Sequence, residues 1–255
     1  MKKYLVRVGR PVLILFFWLG VWGVAAWSVG KPLLLPGPIA VFGRLVDLMQ
    51  TKAFYITTLN SLWNILRGIL IAVGLGCVLA ALTSRLSLLR EIIHFPMTVI
   101  KATPVASFII LALIFIGSAK VPTFITILIV LPVIWTNLDE GYRRIDPQLT
   151  EMTTVFRMTP IRRLFCLTLP SLKPYFLSAC RMSFGLAWKA GVAAEIIAMP
   201  RQSIGTMIGD SKQYLMTEDM FAWTFTVIVL SLLIEFLFSF LFKKLGKVSD
   251  DKEVA

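Results

Sequence analysis

The chain has 255 residues, of which 57% are hydrophobic and only 16% charged, with a formal net charge of +12 and a mean hydropathy of +0.81. Soluble domains run near about 45–50% apolar and about 25% charged, so a water-soluble globular protein is excluded. The positive charge does not mark a nucleic-acid binder either, because the basic residues fall in clusters between apolar runs instead of forming one face.

Lys2, Lys3, Arg7 and Arg10 precede an uncharged apolar run over residues 11–29. A basic start before an apolar stretch has the outline of a signal peptide. This run is too long for one, and Trp18, Trp22 and Trp27 stand where a small-residue cleavage site belongs; it is expected to stay as the first membrane helix. In the following segment, Leu35-Pro36-Gly37-Pro38 sets a rigid turn. Residues 39–49 then show helical apolar spacing, which predicts a short amphipathic helix at or outside the interface. Further helices are predicted over roughly 60–83, 92–117, 121–138, 174–198 and 221–242, each near the ~20 residues that cross a hydrocarbon core. The runs lack the two-residue alternation of barrel strands, leaving helices as the means of satisfying the backbone in lipid. Within 92–117, Pro96, Lys101 and Pro104 predict a bend or break.

The expected fold is therefore an all-α polytopic bundle of about six transmembrane helices without a separate soluble domain. Residues 1–30 form a tail and first helix, 31–59 an extracytoplasmic segment, 60–242 the core and 243–255 a tail. Lys and Arg cluster in the N-terminal tail, at Arg85 and Arg90, at six positions within 139–173 and at Lys243, Lys244, Lys247 and Lys252. The alternate connections are poorer in them. Six crossings with both termini cytoplasmic satisfy the positive-inside rule at every loop.

Several chemistries lack their signatures. No GxxxxGK[ST] phosphate loop is present, so the chain does not bind ATP in that manner. His94, the single histidine, has no evident catalytic or metal partner in the sequence. HExxH and GxSxG are absent. Cys77, Cys166 and Cys180 have no CxxC spacing and read as small packing residues, not as a disulfide or metal set.

Residues 139–173 form an unusually long connection for a helical bundle. Pro147 opens a helix over 148–158, Pro160 closes it, and a second helical piece over 161–167 is expected to end before Leu169-Pro170. Met152, Val155, Phe156 and Met158 give the first helix an apolar surface. Such a helix lies on lipid, packs on its own bundle or docks in a partner's groove, and periodicity does not choose among these.

The residues of this loop resemble the cytoplasmic loop of bacterial ABC importer permeases, with its consensus EAA, three residues, Gly, nine residues and I-x-L-P. Glu151-Met152-Thr153 occupies EAA, and Leu167-Thr168-Leu169-Pro170 occupies I-x-L-P at the right spacing. Arg157 replaces the Gly, a position where glycine eases a tight turn. The resemblance extends over about residues 33–242, through Leu35-Pro36-Gly37-Pro38, Lys101-Ala102-Thr103-Pro104 with Ile116-Gly117, Ile145-Asp146-Pro147, Gly185-Leu186-Ala187-Trp188 and Ala193-Ala194-Glu195. It is most similar to the nitrate, sulfonate, taurine and bicarbonate importers, with thiamine-precursor and riboflavin importers nearby.

This resemblance implies the type I, MetI-like permease fold in a bacterial cytoplasmic (inner) membrane. It implies a second permease subunit, identical or not, a cytoplasmic ABC ATPase dimer that binds ATP and Mg, and an external binding protein that delivers a small polar or anionic solute. The chain itself would hold no cofactor or metal and catalyse no reaction. Glu151, Met152, Thr153, Val155, Phe156, Arg157, Leu167, Leu169 and Pro170 would form the ATPase-docking loop.

Lys189 and Glu195 lie in the fifth predicted span, where a charge costs at least ~2.5 kcal/mol on insertion scales. Six residues place them about 240° apart around a helix, so they do not pair with each other. With Trp188 they are candidates for the translocation path, Lys189 attracting an anion and Glu195 gating. The favoured alternative gives Lys189 and Glu195 polar contacts to a neighbouring helix or second subunit. A stand-alone proton-coupled transporter is the rival reading; it requires inverted repeats and an embedded carboxylate relay, and Glu195 is its one support.

Overall fold

The computed structural model describes residues 2–253, with side chains from residue 13 through 240. The basic side chains of both tails, from which the termini were oriented, lie outside the described residues. No strand occurs among the described residues.

Helix α1 (Lys2–Val29) and α2 (Pro38–Met49) are joined through the predicted proline turn. Pro38 opens α2, a position where its fixed φ and missing N–H suit a helix start. The Trp22 indole donates to the Pro36 carbonyl at 3.1 Å, fastening the turn to α1. α2 follows the amphipathic helix expected over 39–49. Its Arg44 forms a bidentate ion pair with Asp219 of α11 (Thr217–Glu253), and its Phe42 meets Phe225 edge-on with ring centroids 5.0 Å apart. The hydrogen bond to Asp219 holds the Arg44 guanidinium above its ordinary pKa. Because the arginine side chain is 41% exposed, the pair is worth no more than about 1 kcal/mol.

The centre of the molecule is a trio: α3 (Lys52–Thr83), α6 (Val121–Arg143) and α9 (Leu169–Ala198). Thr51 caps α3 by accepting the Phe54 N–H at 3.3 Å. Ser61, Ile65, Gly68, Ala72, Gly76 and Ala80 recur at three- and four-residue spacing along its buried face. Lipid supplies no hydrophobic drive between helices, so close packing of small residues has to hold them. A Cβ on Gly76 would stand 2.7 Å from Ile134 Cγ2 of α6, and one on Gly191 of α9 would stand 2.6 Å from Ile65 Cγ1. Gly76→Leu is therefore expected to cost about 1–3 kcal/mol through overpacking. Gly74→Leu, whose Cβ meets nothing within 4 Å, serves as its neutral counterpart. Thermal unfolding of the detergent-solubilised subunit checks the difference.

The helix expected over 92–117 is not one helix. It is α4 (Ser87–Ala102) and α5 (Val105–Ile116), bent by 106° at Thr103-Pro104. Pro104 disfavours helical backbone at the residue before it, and Thr103 is extended with ψ 135. Pro96, by contrast, lies inside α4 without ending it. α5 alone, 12 residues long, rises only ~18 Å and does not cross a core of ~30 Å.

Beyond α6 come α7 (Pro147–Val155), the short α8 (Pro160–Arg163) and a wider π turn over Leu164–Thr168 that leads directly into α9. The second helical piece of the long loop thus does not stop before Leu169-Pro170, as expected; it is the start of α9. Pro170 has no N–H to give the carbonyl four residues back, and its ring crowds that position. The Leu169 N–H bonds the Leu164 carbonyl five residues back, so the helix widens at this proline instead of breaking.

A further helix, α10 (Ile204–Gln213), follows α9 in a connection where none was predicted. Among the described residues, three helices are by themselves long and apolar enough to cross a membrane: Lys52–Thr83, Val121–Arg143 and the described part of α11, Thr217–Phe240. The bent α4–α5 pair makes a fourth if it counts as one crossing. The apolar Leu13–Val29 stretch of α1 is shorter, and α9 carries Lys173, Arg181, Lys189 and Glu195 along its length.

Candidate functional site

Residues 144–168 hold α7 and the turns that lead from it into α9. Asp146 caps α7 through Oδ1, which accepts the Gln148 N–H at 2.8 Å, and Pro147 fills the first helical position. Met152, Val155 and Phe156 fall at i, i+3 and i+4, hence on one face, and are 43%, 79% and 69% exposed. Glu151 is exposed beside them. Thr153 is buried and donates its hydroxyl to the Thr150 carbonyl at 2.7 Å.

The end of α7 explains how the chain manages without glycine at position 157. Arg157 has φ +46, the left-handed conformation. Its N–H bonds the Thr154 carbonyl at 3.0 Å, and the Met158 N–H bonds the Thr153 carbonyl at 2.9 Å. These two bonds are the paired pattern that glycine commonly closes at a helix C-terminus. Arginine makes the same turn at a cost of about 1 kcal/mol. Thr159 then caps α8, its hydroxyl accepting the Arg162 N–H at 3.4 Å. Arg157→Gly is expected to stabilise this turn by up to about 1 kcal/mol, measured as slower amide exchange over residues 153–158.

The remaining loop candidates separate from that face. Leu167 is buried, while Leu169 and Pro170 are exposed. With Phe165, Leu172, Cys77 and Tyr142, Leu169 and Pro170 line an apolar groove of about 630 Å³ between α3, α6 and the π turn.

Lys189, Trp188 and Glu195 do not converge. Trp188 is buried, and its indole donates to the Val227 carbonyl of α11 at 3.1 Å. Lys189 is exposed on the outer face of α9. Glu195 has no exposed surface; its Oε2 accepts the Ser61 hydroxyl at 2.7 Å and the Gly205 N–H at 3.2 Å. The Ser61 oxygen in turn accepts the Ile204 N–H at 2.8 Å. A Cβ on Gly205 would lie 2.3 Å from Glu195 Cβ, so only glycine lets α10 come this close. Of the three path candidates, only Lys189 presents its side chain at the surface of the subunit, whereas Glu195 joins α3, α9 and the start of α10, where amide donors and the helix dipole favour an acceptor. The polar contact to a neighbouring helix is the arrangement found for Glu195. Ser61 and Gly205 were not singled out in the sequence. Ser203, followed by apolar Ile204, Met207 and Ile208 at helical spacing, was the available signal for α10.

Among the described residues no group of His, Cys, Asp and Glu is arranged to hold a metal. The described features are those of a membrane bundle carrying one projecting amphipathic helix and a buried polar latch.

Comparison with known proteins agrees with the motif spacing. Residues 72–247 match the family described as "Binding-protein-dependent transport system inner membrane component". The chain is 27% identical over 193 residues to the bicarbonate transport system permease protein CmpB of Synechococcus elongatus, covering 70% of this chain and 69% of that one. It is 23% identical over 241 residues to the taurine transport system permease protein TauC of Escherichia coli K12, covering 92% and 86%. It is 27% identical over 183 residues to the formylaminopyrimidine transport permease protein ThiX of Halalkalibacterium halodurans, covering 70% and 71%. With well over half of its length matched, and with apolar helices to cross a membrane several times, this chain belongs to the family of binding-protein-dependent transport system inner membrane components, the ABC transporter permeases.

Proposed function

We propose that the chain is the membrane subunit of an ATP-driven importer for a small polar or anionic solute. Six crossings with both termini in the cytoplasm bring α7 and the 139–173 loop to the cytoplasmic face of a bacterial inner membrane. α7 is the coupling helix. Its Met152, Val155 and Phe156 seat in a groove of a cytoplasmic ABC ATPase that binds ATP and Mg, Glu151 pairs with a cation there, and Thr153 and Arg157 shape the helix end. Leu167, Leu169 and Pro170 carry movement of α7 into α9 through the π turn. A second permease subunit completes the path, Lys189 faces it, and an external binding protein delivers the solute. Relatives named for bicarbonate, taurine and formylaminopyrimidine transport support the solute class.

The observation that carries this reading is the α7 face. Three large apolar side chains at i, i+3 and i+4 stay exposed on a capped helix outside the bundle, an arrangement suited to a partner's groove. The test is solute uptake into vesicles by the complex purified from its native membrane. Uptake that needs ATP and survives a protonophore agrees. Uptake that a protonophore abolishes at constant ATP identifies a proton-coupled carrier instead.

A further inference from the structure

The 106° break between α4 and α5 follows Lys101, which stands two helical turns beyond His94, the last α4 residue of a polar cleft shared with α6. Along α4, Ser87, Glu91, His94, Thr98 and Lys101 recur at i, i+4, i+7, i+11 and i+14 and are all exposed. Leu88, Ile92, Phe95 and Val99 form an adjoining apolar stripe, also exposed. The polar stripe faces α6, where Trp135, Thr136, Asp139 and Arg143 join Arg90 and His94 around a cleft of about 390 Å³.

The cleft carries its own acids, Glu91, Asp139 and Glu140, beside Arg90 and Arg143, and Arg90 pairs with Asp139 at 3.3 Å. Lys101 lies past these groups: its Nζ donates to Thr136 Oγ1 at 2.6 Å, and among the described residues no carboxylate pairs with it. Thr136 Oγ1 in turn donates to the Pro132 carbonyl at 2.6 Å, so the hydroxyl is oriented and offers Lys101 a lone pair but no charge. Thr136 lies seven residues before Arg143, ~10 Å along α6. Glu91, the remaining acid on the stripe, is ten residues from Lys101, ~15 Å along α4, too far for an ion pair. A lysine ammonium held only by a neutral hydroxyl inside the membrane-spanning region is costly unless it meets an anion. Broken membrane helices are where solute sites are commonly built, because the bundle can bring charge and freed backbone to one point there.

We propose that Lys101, oriented by Thr136, is an anion-binding point of the transport path at the α4–α5 break. This rests on the importer reading given above, and it assigns the solute a negatively charged group such as a sulfonate or carboxylate. Lys101 binds that group by charge, and the hydroxyl of Thr136 holds its ammonium in place.

Two measurements test it. In vesicles containing the complete complex with its binding protein, ATP-driven uptake of labelled taurine, ethanesulfonate and bicarbonate is compared between wild type, Lys101→Gln and Lys101→Arg. The expected result is at least a tenfold loss in Lys101→Gln for the transported probe and recovery to within threefold of wild type in Lys101→Arg. Separately, Thr98→Cys, one turn from Lys101 on the same face, is treated with an anionic and a cationic methanethiosulfonate. Modification is read at the residue 98 peptide by mass spectrometry and normalised to rates with free cysteine. The anionic reagent is expected to be favoured at least fivefold, and Lys101→Gln in the same background to remove the preference.

Uptake by Lys101→Gln within twofold of wild type overturns the proposal. So does a loss that Lys101→Arg does not restore, or equal normalised rates for the two reagents. Where the wild-type complex takes up none of the three probes, the reagent preference decides the anion site by itself, and the importer reading stands or falls on the protonophore test given above.

Discussion

Phe156→Asp is expected to lower ATP-driven uptake at least about thirtyfold while leaving the subunit folded and inserted. Phe156 is 69% exposed at the end of α7, and substitutions at such positions usually change stability by less than about 0.5 kcal/mol. In the complex proposed above the same side chain would be a buried anchor. Losing an anchor costs about 2 kcal/mol or more, and every 1.4 kcal/mol is tenfold in binding. A carboxylate buried in an apolar groove adds its own desolvation cost. The measurements are uptake in proteoliposomes and the fraction of ATPase that co-purifies. Both should fall together, with unchanged yield of the subunit. Undiminished transport would remove α7 from the docking role.

Glu195→Ala is expected to destabilise the subunit by about 3 kcal/mol. It leaves the Ser61 hydroxyl and the Gly205 N–H, which Glu195 Oε2 now accepts, without an acceptor in a buried site. Each orphaned group costs about 1–3 kcal/mol. Glu195→Gln should cost less than about 1 kcal/mol, because its amide oxygen can take both bonds in the same place. The contrast separates a latch from an ionic gate: a gate that works by charge would lose transport in Gln as completely as in Ala. Unfolding midpoints of the two variants, with protease sensitivity of residues 199–203 as the local readout, distinguish these outcomes. Equal stability of Ala and wild type would end the latch interpretation.

The spans that could be read from sequence were those whose signal is local. α3, α6 and α11 carry long apolar runs, and α2 has its proline start and helical apolar spacing. α7 was equally readable, from Pro147 onward. What was less legible depended on backbone detail at single residues. The break expected within 92–117 does occur, at Thr103-Pro104, while Pro96 is absorbed inside α4. Pro170 looked like a stop and is instead carried by a π turn. Arg157 looked unsuited to a glycine's position, yet adopts φ +46 because two backbone bonds close around it.

The polar latch could not be read at all beyond Glu195. Ser61 lies 134 residues away in the chain, and its contact depends on how closely Gly205 lets α10 approach. Trp188 was named with Lys189 and Glu195 from its place in the chain; that its indole donates to the Val227 carbonyl of α11 came only with the fold. Lys101 was visible as an interruption of a helix, while its partner Thr136 on α6, 35 residues away, came only with the fold.

The central claim is that α7 couples this subunit to an ATPase, and proximity tests it most directly. A photoreactive amino acid at Val155, 79% exposed on the α7 face, should on illumination of intact cells yield one covalent product containing this chain and a P-loop ATPase, identified by mass spectrometry. Products joining Val155 only to lipid or to another part of this chain would contradict the claim, and α7 would then be a helix that lies on the membrane or on its own bundle.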